Sequence, residues 1–273
     1  MGDTLRLAIS NIAWETSEDE QVADVLRRES VGGIEIAPTK WRERPLEASA
    51  SAIAEYRKTW ADRGLRIVSM QALLFGRPDL QLFGPSRASM RDYLRGIIEL
   101  GARLGAHALV FGSPKNRARG SLSLAEATAI AVDFFREIGE HAAVHDVAFC
   151  LEANPPEYGC DFITDTAEAV ALCAAIDHPG IAVNGDLGGM TMSNERVRET
   201  IASAAAMLGH FHASEPQLAE LGASANHAEA AAGLAAVGYG RWVSVEMRAA
   251  GSNVERVERA IRLAKRAYGE VVA

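Results

Sequence analysis

The stretch Trp242-Val243-Ser244-Val245-Glu246-Met247-Arg248 alternates in character from one residue to the next. In an extended chain successive side chains point to opposite faces, so Val243, Val245 and Met247 share one face while Ser244 and Glu246 share the other. The same alternation occurs at Phe149-Cys150-Leu151-Glu152-Ala153-Asn154-Pro155, with Phe149 and Leu151 on one face and Cys150 and Glu152 on the other. Both stretches read as short strands. Their apolar faces are expected to meet covering helices, and their polar faces to point into a barrel mouth.

Working outward, short apolar runs recur at residues 5–9, 33–36, 65–70, 106–111, 147–151, 181–183, 208–211 and 242–245. Their lengths suit strands rather than helices. A turn-like stretch and then a helical pattern follow each, at 18–28, 46–63, 87–104, 123–145, 164–176, 193–207, 226–237 and 253–268. The first of these opens with acidic residues and closes with Arg27 and Arg28, matching the helix dipole. Gly64 and Gly105 follow the second and third as C-caps. Thr164 or Asp165 is expected to cap the fifth, and Asn226 and Asn253 the last two.

Eight strand–helix units in 273 residues predict a (β/α)8 TIM barrel, with a single domain over residues 1–273. A doubly wound open sheet is the alternative, and it usually carries a glycine-rich loop after its first strand. Here that strand runs into Ser10-Asn11-Ile12-Ala13-Trp14, without glycine.

Composition narrows the function classes. Hydrophobic residues make up 48% and charged residues 23%, as in a folded chain rather than a disordered one. The net charge of −8 argues against gripping nucleic acid or docking on anionic lipid, which leaves small molecules and proteins as partners. Cys150, Cys160 and Cys173 are an odd set without CxxC spacing, which fits a reducing compartment. With no run long enough to span a bilayer and no signal-peptide pattern, the expected location is the cytoplasm and no membrane partner is expected.

In such a barrel, chemistry sits at the C-terminal ends of the strands. Four consecutive strands end in a metal-ligand type: Glu152, Asp186, His212 and Glu246. Two glutamates, an aspartate and a histidine converging on one mouth would repel unless something positive lay between them. A divalent cation is the simple answer, and one nitrogen with several carboxylate oxygens suits Mn2+, Mg2+, Co2+ or Zn2+.

Other residues near strand exits are candidates for contact with a substrate. Lys115 and Arg117 either bind a phosphate or carboxylate or form a solvated basic loop. Glu35 either bonds hydroxyls or makes a structural ion pair. Trp14 offers an aromatic wall or core packing, and Gln71 an amide. His227 reaches the mouth from its loop or caps the surface. Phe75 and Phe83 flank a loop that either covers the mouth or packs on the surface. His210 shares a face with His212, one layer deeper, and reads as a supporting histidine. His107, His141, His145 and His178 lie at strand starts or on helices and read as non-catalytic. GxxxxGK[ST] and GxSxG patterns are both missing.

The chain resembles the sugar phosphate isomerase/epimerase family of xylose isomerase-like barrels, and within it the D-tagatose 3-epimerase branch. The most specific segments are Leu151-Glu152-Ala153-Asn154-Pro155, Gly209-His210-Phe211-His212-Ala213-Ser214-Glu215 and 238–246. The resemblance implies that Glu152, Asp186, His212 and Glu246 hold one divalent metal ion, Mn2+ first among the choices. It also implies that Glu152 and Glu246 are the catalytic acid/base pair acting on a small-molecule sugar through an enediolate, and that Glu157 binds substrate. Family habit implies a homo-oligomer, dimer or tetramer. Two family positions differ here: Gly189 stands where a histidine is frequent, and Pro216-Gln217-Leu218 lacks an arginine. The expected activity is a metal-dependent epimerase or aldose–ketose isomerase; a metal-dependent lyase or dehydratase through the same enolate is the alternative. DNA-repair endonuclease barrels share the fold, but the absence of histidines at the second and third strand exits and the acidic charge count against that activity.

Overall fold

All eight short apolar runs form strands. The computed structural model describes residues 5–222 and 224–272, so residues 1–4, 223 and 273 of the expected domain lie outside the description. The strands are β1 (Leu5–Ser10), β2 (Val31–Ile36), β3 (Arg66–Met70), β4 (Ala108–Phe111), β5 (Ala148–Glu152), β6 (Ile181–Asp186), β7 (Leu208–Ser214) and β8 (Val243–Glu246). They pair in sequence order, all parallel, and β8 returns to β1 to close the barrel. Closure leaves no strand edge to protect.

The helices are α1 (Asp19–Arg28), α2 (Pro38–Trp41), α3 (Ala50–Asp62), α4 (Arg87–Leu104), α5 (Leu124–Val144), α6 (Thr166–Ile176), α7 (Leu187–Met192), α8 (Val197–Ala204), α9 (Ala225–Ala236) and α10 (Asn253–Val272). Several ends follow the caps written in the sequence. Gly105 closes α4 in the left-handed region at φ 95°, and Asp165 caps α6 by accepting from the Glu168 backbone. Others differ. The expected helix at 46–63 splits into a short 3-10 turn at Pro45–Glu47 and α3, which Ser49 caps. The expected cap Asn226 lies inside α9, where its amide donates to Thr191 instead; Ser224 occupies the cap. Asn253 begins α10, accepts from the Ala250 backbone and donates to Glu18. The stretch after Asp186, ahead of the helix expected at 193–207, forms the extra turn α7.

The two faces of each strand separate as their alternation requires. Leu7, Ile9, Ile34, Phe111, Phe149, Leu151, Phe211, Val243 and Val245 are fully buried in the layer between strands and helices. The base of the interior is filled by the small residues Ala108, Cys150 and Ala182. Where β6 meets β7 the register slips, pairing Val183 with Leu208 and then Asn184 with His210, so Gly209 is an extra residue. A Cβ on Gly209 would fall 2.6 Å from Ala182 Cβ. Only glycine allows that approach, and the bulge brings His210 and His212 level with Asn184 and Asp186. All three cysteines are buried and free. Among the described residues no helix is long and apolar enough to cross a membrane.

Candidate metal centre

The C-terminal ends of β5, β6, β7 and β8 deliver Glu152, Asp186, His212 and Glu246 to one point. Nδ1 of His212 lies 3.3 Å from Oε2 of Glu152 and 3.3 Å from Oε2 of Glu246. Asp186, His212 and Glu246 each offer a ligand atom within 4.8 Å of one another. Asp186 is held on both oxygens: Ser214 donates its hydroxyl to Oδ1, and the Gly189 backbone donates to Oδ2 at 2.7 Å, the N-cap bond of α7. Glu152 is likewise fixed, accepting from Asn154 Nδ2 at 2.8 Å and from Asn184 Nδ2 at 2.7 Å.

Behind the cluster the interior is a polar network. Glu35, fully buried, accepts from Ser69 at 2.7 Å, from His210 Nε2 at 3.0 Å and from His212 Nε2 at 3.2 Å. A carboxylate only accepts, so the ring nitrogen of His212 that faces Glu35 carries the proton. The opposite nitrogen, Nδ1, is thereby turned to the three carboxylates at the mouth. This carboxylate–imidazole order is the one that orients a metal-ligating histidine.

The charges of the cluster oppose one another. Burial, reinforced by the negative charges of Glu152 and Glu246, pushes Asp186 up to about 7. Burial also raises Glu246, reinforced by Glu152 and Glu35 and opposed by His212. Burial alone would raise Glu152 too, but His212 and the two asparagine amides outweigh it and hold this carboxyl below its ordinary value. His212 is driven well above the usual imidazole value: burial resists its charging, and the carboxylates of Glu35, Glu246 and Glu152 overcome that resistance. Glu35 lies far below the carboxylate range, since the two rings outweigh its burial. Three carboxylates and an imidazole that together demand positive charge at one buried point fit a divalent cation.

A cavity of about 560 Å³ opens above these groups, within the size range of small-molecule sites. Glu152, Asp186 and Glu246 form part of its wall, and Gln71 and Glu157 also line it. Gln71 donates to Ser10 at 2.7 Å. Five other expected substrate contacts are corrected by their placement. Trp14 is fully buried and donates its indole N–H to Asp19 at 2.8 Å, so it serves the core instead of forming a wall. Lys115 points to solvent on a 3-10 turn and does not line the cavity. Its neighbour Arg117 turns inward, fully buried, and donates to Asn154 Oδ1 at 3.1 Å. Glu35 lies beneath His212 as an ion pair, out of reach of the cavity. His227 is buried behind Glu215: its Nε2 lies 3.2 Å from Glu215 Oε1 and its Nδ1 2.7 Å from the hydroxyl of Tyr268. Phe75 is 70% exposed, while Phe83 packs edge-on against Phe162.

The sequence reading missed Asn184, Asn154, Glu215, Tyr158 and Arg248, of which all but Asn184 line the cavity. The period of two would have found the first pair: Asn184 lies two residues before Asp186, and Asn154 two after Glu152.

The profile of the family described as Xylose isomerase-like TIM barrel matches residues 23–267. No curated protein matches the chain in sequence. Among solved structures, D-psicose 3-epimerase with D-tagatose from Clostridium cellulolyticum H10 is similar at a TM-score of 0.79 and 18% identity, over 97% of this chain and 99% of that one. The 3-keto-D-glucoside 4-epimerase from E. coli is similar at 0.78 and 17%, over 96% and 99%. The IolI protein with a binding zinc atom is similar at 0.71 and 17%, over 97% and 97%. At these identities the likeness shows the fold.

Proposed function

We propose, from the premise that the chain belongs to the xylose isomerase-like TIM barrel family, that it is a divalent-metal-dependent sugar isomerase or epimerase. The observation that carries this reading is the convergence of Glu152 and Glu246 on Nδ1 of His212 at 3.3 Å each, with Asp186 beside them, at the floor of a cavity. Sugar epimerases and a zinc-containing protein among the similar structures support it.

Glu152, Asp186, His212 and Glu246 would hold the ion, with Mn2+ first among Mn2+, Mg2+, Co2+ and Zn2+. When bound, it supplies Lewis-acid polarisation of a sugar carbonyl. The residues of the chain do the rest. Glu152 and Glu246 come from strands three apart in the barrel, so they reach a substrate from different sides. One takes the proton from the carbon beside the carbonyl, giving the enediolate of the sugar, and the other returns a proton. Return to the same carbon on the opposite face inverts the centre; return to the neighbouring carbon interconverts aldose and ketose. Gln71, Glu157, Glu215 and Arg248 line the cavity and would orient the sugar hydroxyls.

The test is solvent exchange. Mn2+-loaded protein is incubated in D2O with a panel of ketoses and keto-sugars, beside Glu152→Gln and Glu246→Gln. Deuterium at the carbon next to the carbonyl, lost in both variants, is expected. Product analysis then separates inversion or isomerisation from elimination, since a lyase would release a leaving group. Exchange that survives in both variants would end the acid/base assignment.

A further inference from the structure

On the outer wall of the barrel, away from the mouth, Glu99 of α4 and His141 and His145 at the end of α5 form a second group of ligand-type side chains. Each offers one ligand atom within 4.8 Å of the others. His141 and His145 are one helical turn apart and therefore share a face of α5, the spacing by which two histidines on one helix hold zinc. Their ring centroids are 4.7 Å apart and tilted by 55°. Glu99 Oε1 reaches across to within 3.3 Å of His141 Nε2. Yet that nitrogen is buried and, among the described residues, has no hydrogen-bond partner. The close approach is therefore not a hydrogen bond between the two, and an orphaned ring nitrogen of this kind calls for a partner.

We infer that Glu99, His141 and His145 are a second divalent-metal site, suited to Zn2+. Two imidazoles and one carboxylate are the donor set of three-residue zinc centres, and metal–ligand bonds of about 2.0–2.1 Å give a tetrahedron with edges of about 3.3–3.4 Å. The 3.3 Å between Glu99 Oε1 and His141 Nε2 already matches such an edge. His145 completes the face by a rotamer adjustment, and water takes the fourth position. His141 lies in the last turn of α5 and His145 caps it, where the negative end of the helix dipole favours a cation. α5 leads into the start of β5 at the base of the barrel, so the site is separate from the carboxylates of the mouth. Its effect is a clip that ties α4 to α5 across two consecutive β/α units.

The experiment uses Zn2+ itself. Metal-stripped Glu246→Gln protein, weakened at the mouth, is titrated by calorimetry beside the same protein carrying His141→Gln and His145→Gln. The second protein is expected to take up one equivalent fewer and to lose a zinc-dependent rise in melting temperature. Equal stoichiometry in the two would overturn the site, whatever happens at the mouth. Hydrogen exchange on the otherwise unaltered chain guards against a misfolded variant. Zn2+ is expected to slow exchange in residues 141–147 beyond any slowing by Mg2+, an ion that imidazoles bind poorly; identical protection by the two ions would count against the clip.

Discussion

The carboxylate of Glu35 stands 3.2 Å from Nε2 of His212, reaching across the barrel interior from β2 to β7. Because it accepts from that nitrogen, it fixes which side of the ring faces the mouth. Partners that orient a metal-binding histidine in this way typically govern about 10–100-fold of metal affinity. Glu35→Gln is therefore expected to weaken Mn2+ binding by about that factor without abolishing it, measured by calorimetry on metal-stripped protein. Unchanged affinity would remove Glu35 from the metal centre.

Gly112, just beyond β4, lies against the mouth. A Cβ there would fall 2.7 Å from Glu152 Oε1 and 3.1 Å from Asn154 Oδ1. Gly112→Ala must move the Glu152 carboxylate, and a displacement of about 1 Å at a reacting group can cost about 100-fold in rate. The expected outcome is a loss of kcat/KM of that order, with the melting temperature little changed, read by steady-state kinetics and circular dichroism.

Tyr268 of α10 meets Nδ1 of His227 at 2.7 Å, and His227 meets Glu215 on the cavity wall. Tyr268→Phe leaves the buried ring nitrogen without its partner, a loss of about 1–3 kcal/mol. Chemical denaturation is expected to show that loss. A rise in KM is expected with it, because Glu215 loses the support behind its carboxylate.

His227 also sets a pH response. Burial lowers its pKa below the ordinary 6.5, against the opposing pull of Glu215. In the unfolded chain the same ring takes up a proton near pH 6.5. As pH falls below about 6.5 the unfolded state binds a proton that the folded state resists, so stability falls with pH across the interval down to the folded value. Above pH 6.5 both states are neutral at this ring and it contributes no slope. In His227→Gln the decline below about pH 6.5 is expected to be shallower, measured by urea denaturation at each pH. An identical slope would assign the decline to other groups.

Much of the fold was legible because strands and caps are local signals. The alternation at 242–248 and 149–152 identified the interior face correctly, and Gly105 and Asp165 mark helix ends as expected. The misjudged ends have local competitors. Asn226 and Ser224 are both good caps two residues apart; Ser224 takes the cap, and Asn226 donates to Thr191 from inside α9. Chain position alone sets Trp14 and Lys115 near the mouth. Position at a strand exit does not say whether a side chain turns inward, outward or back into the wall, and here Trp14 turns into the core and Lys115 into solvent.

The sequence by itself determined the eightfold β/α pattern and the four ligand-type side chains in the C-terminal parts of β5 to β8, since both depend only on periods of two and 3.6 along the chain. The tertiary structure alone decided which groups meet across the barrel. Glu35 pairs with a histidine 177 residues away, Arg117 supports Asn154, and Tyr268 supports His227 behind Glu215. Such contacts depend on the depth of each residue in the closed barrel. That depth is fixed by the register between neighbouring strands, including the slip at Gly209, and not by the spacing within any one strand.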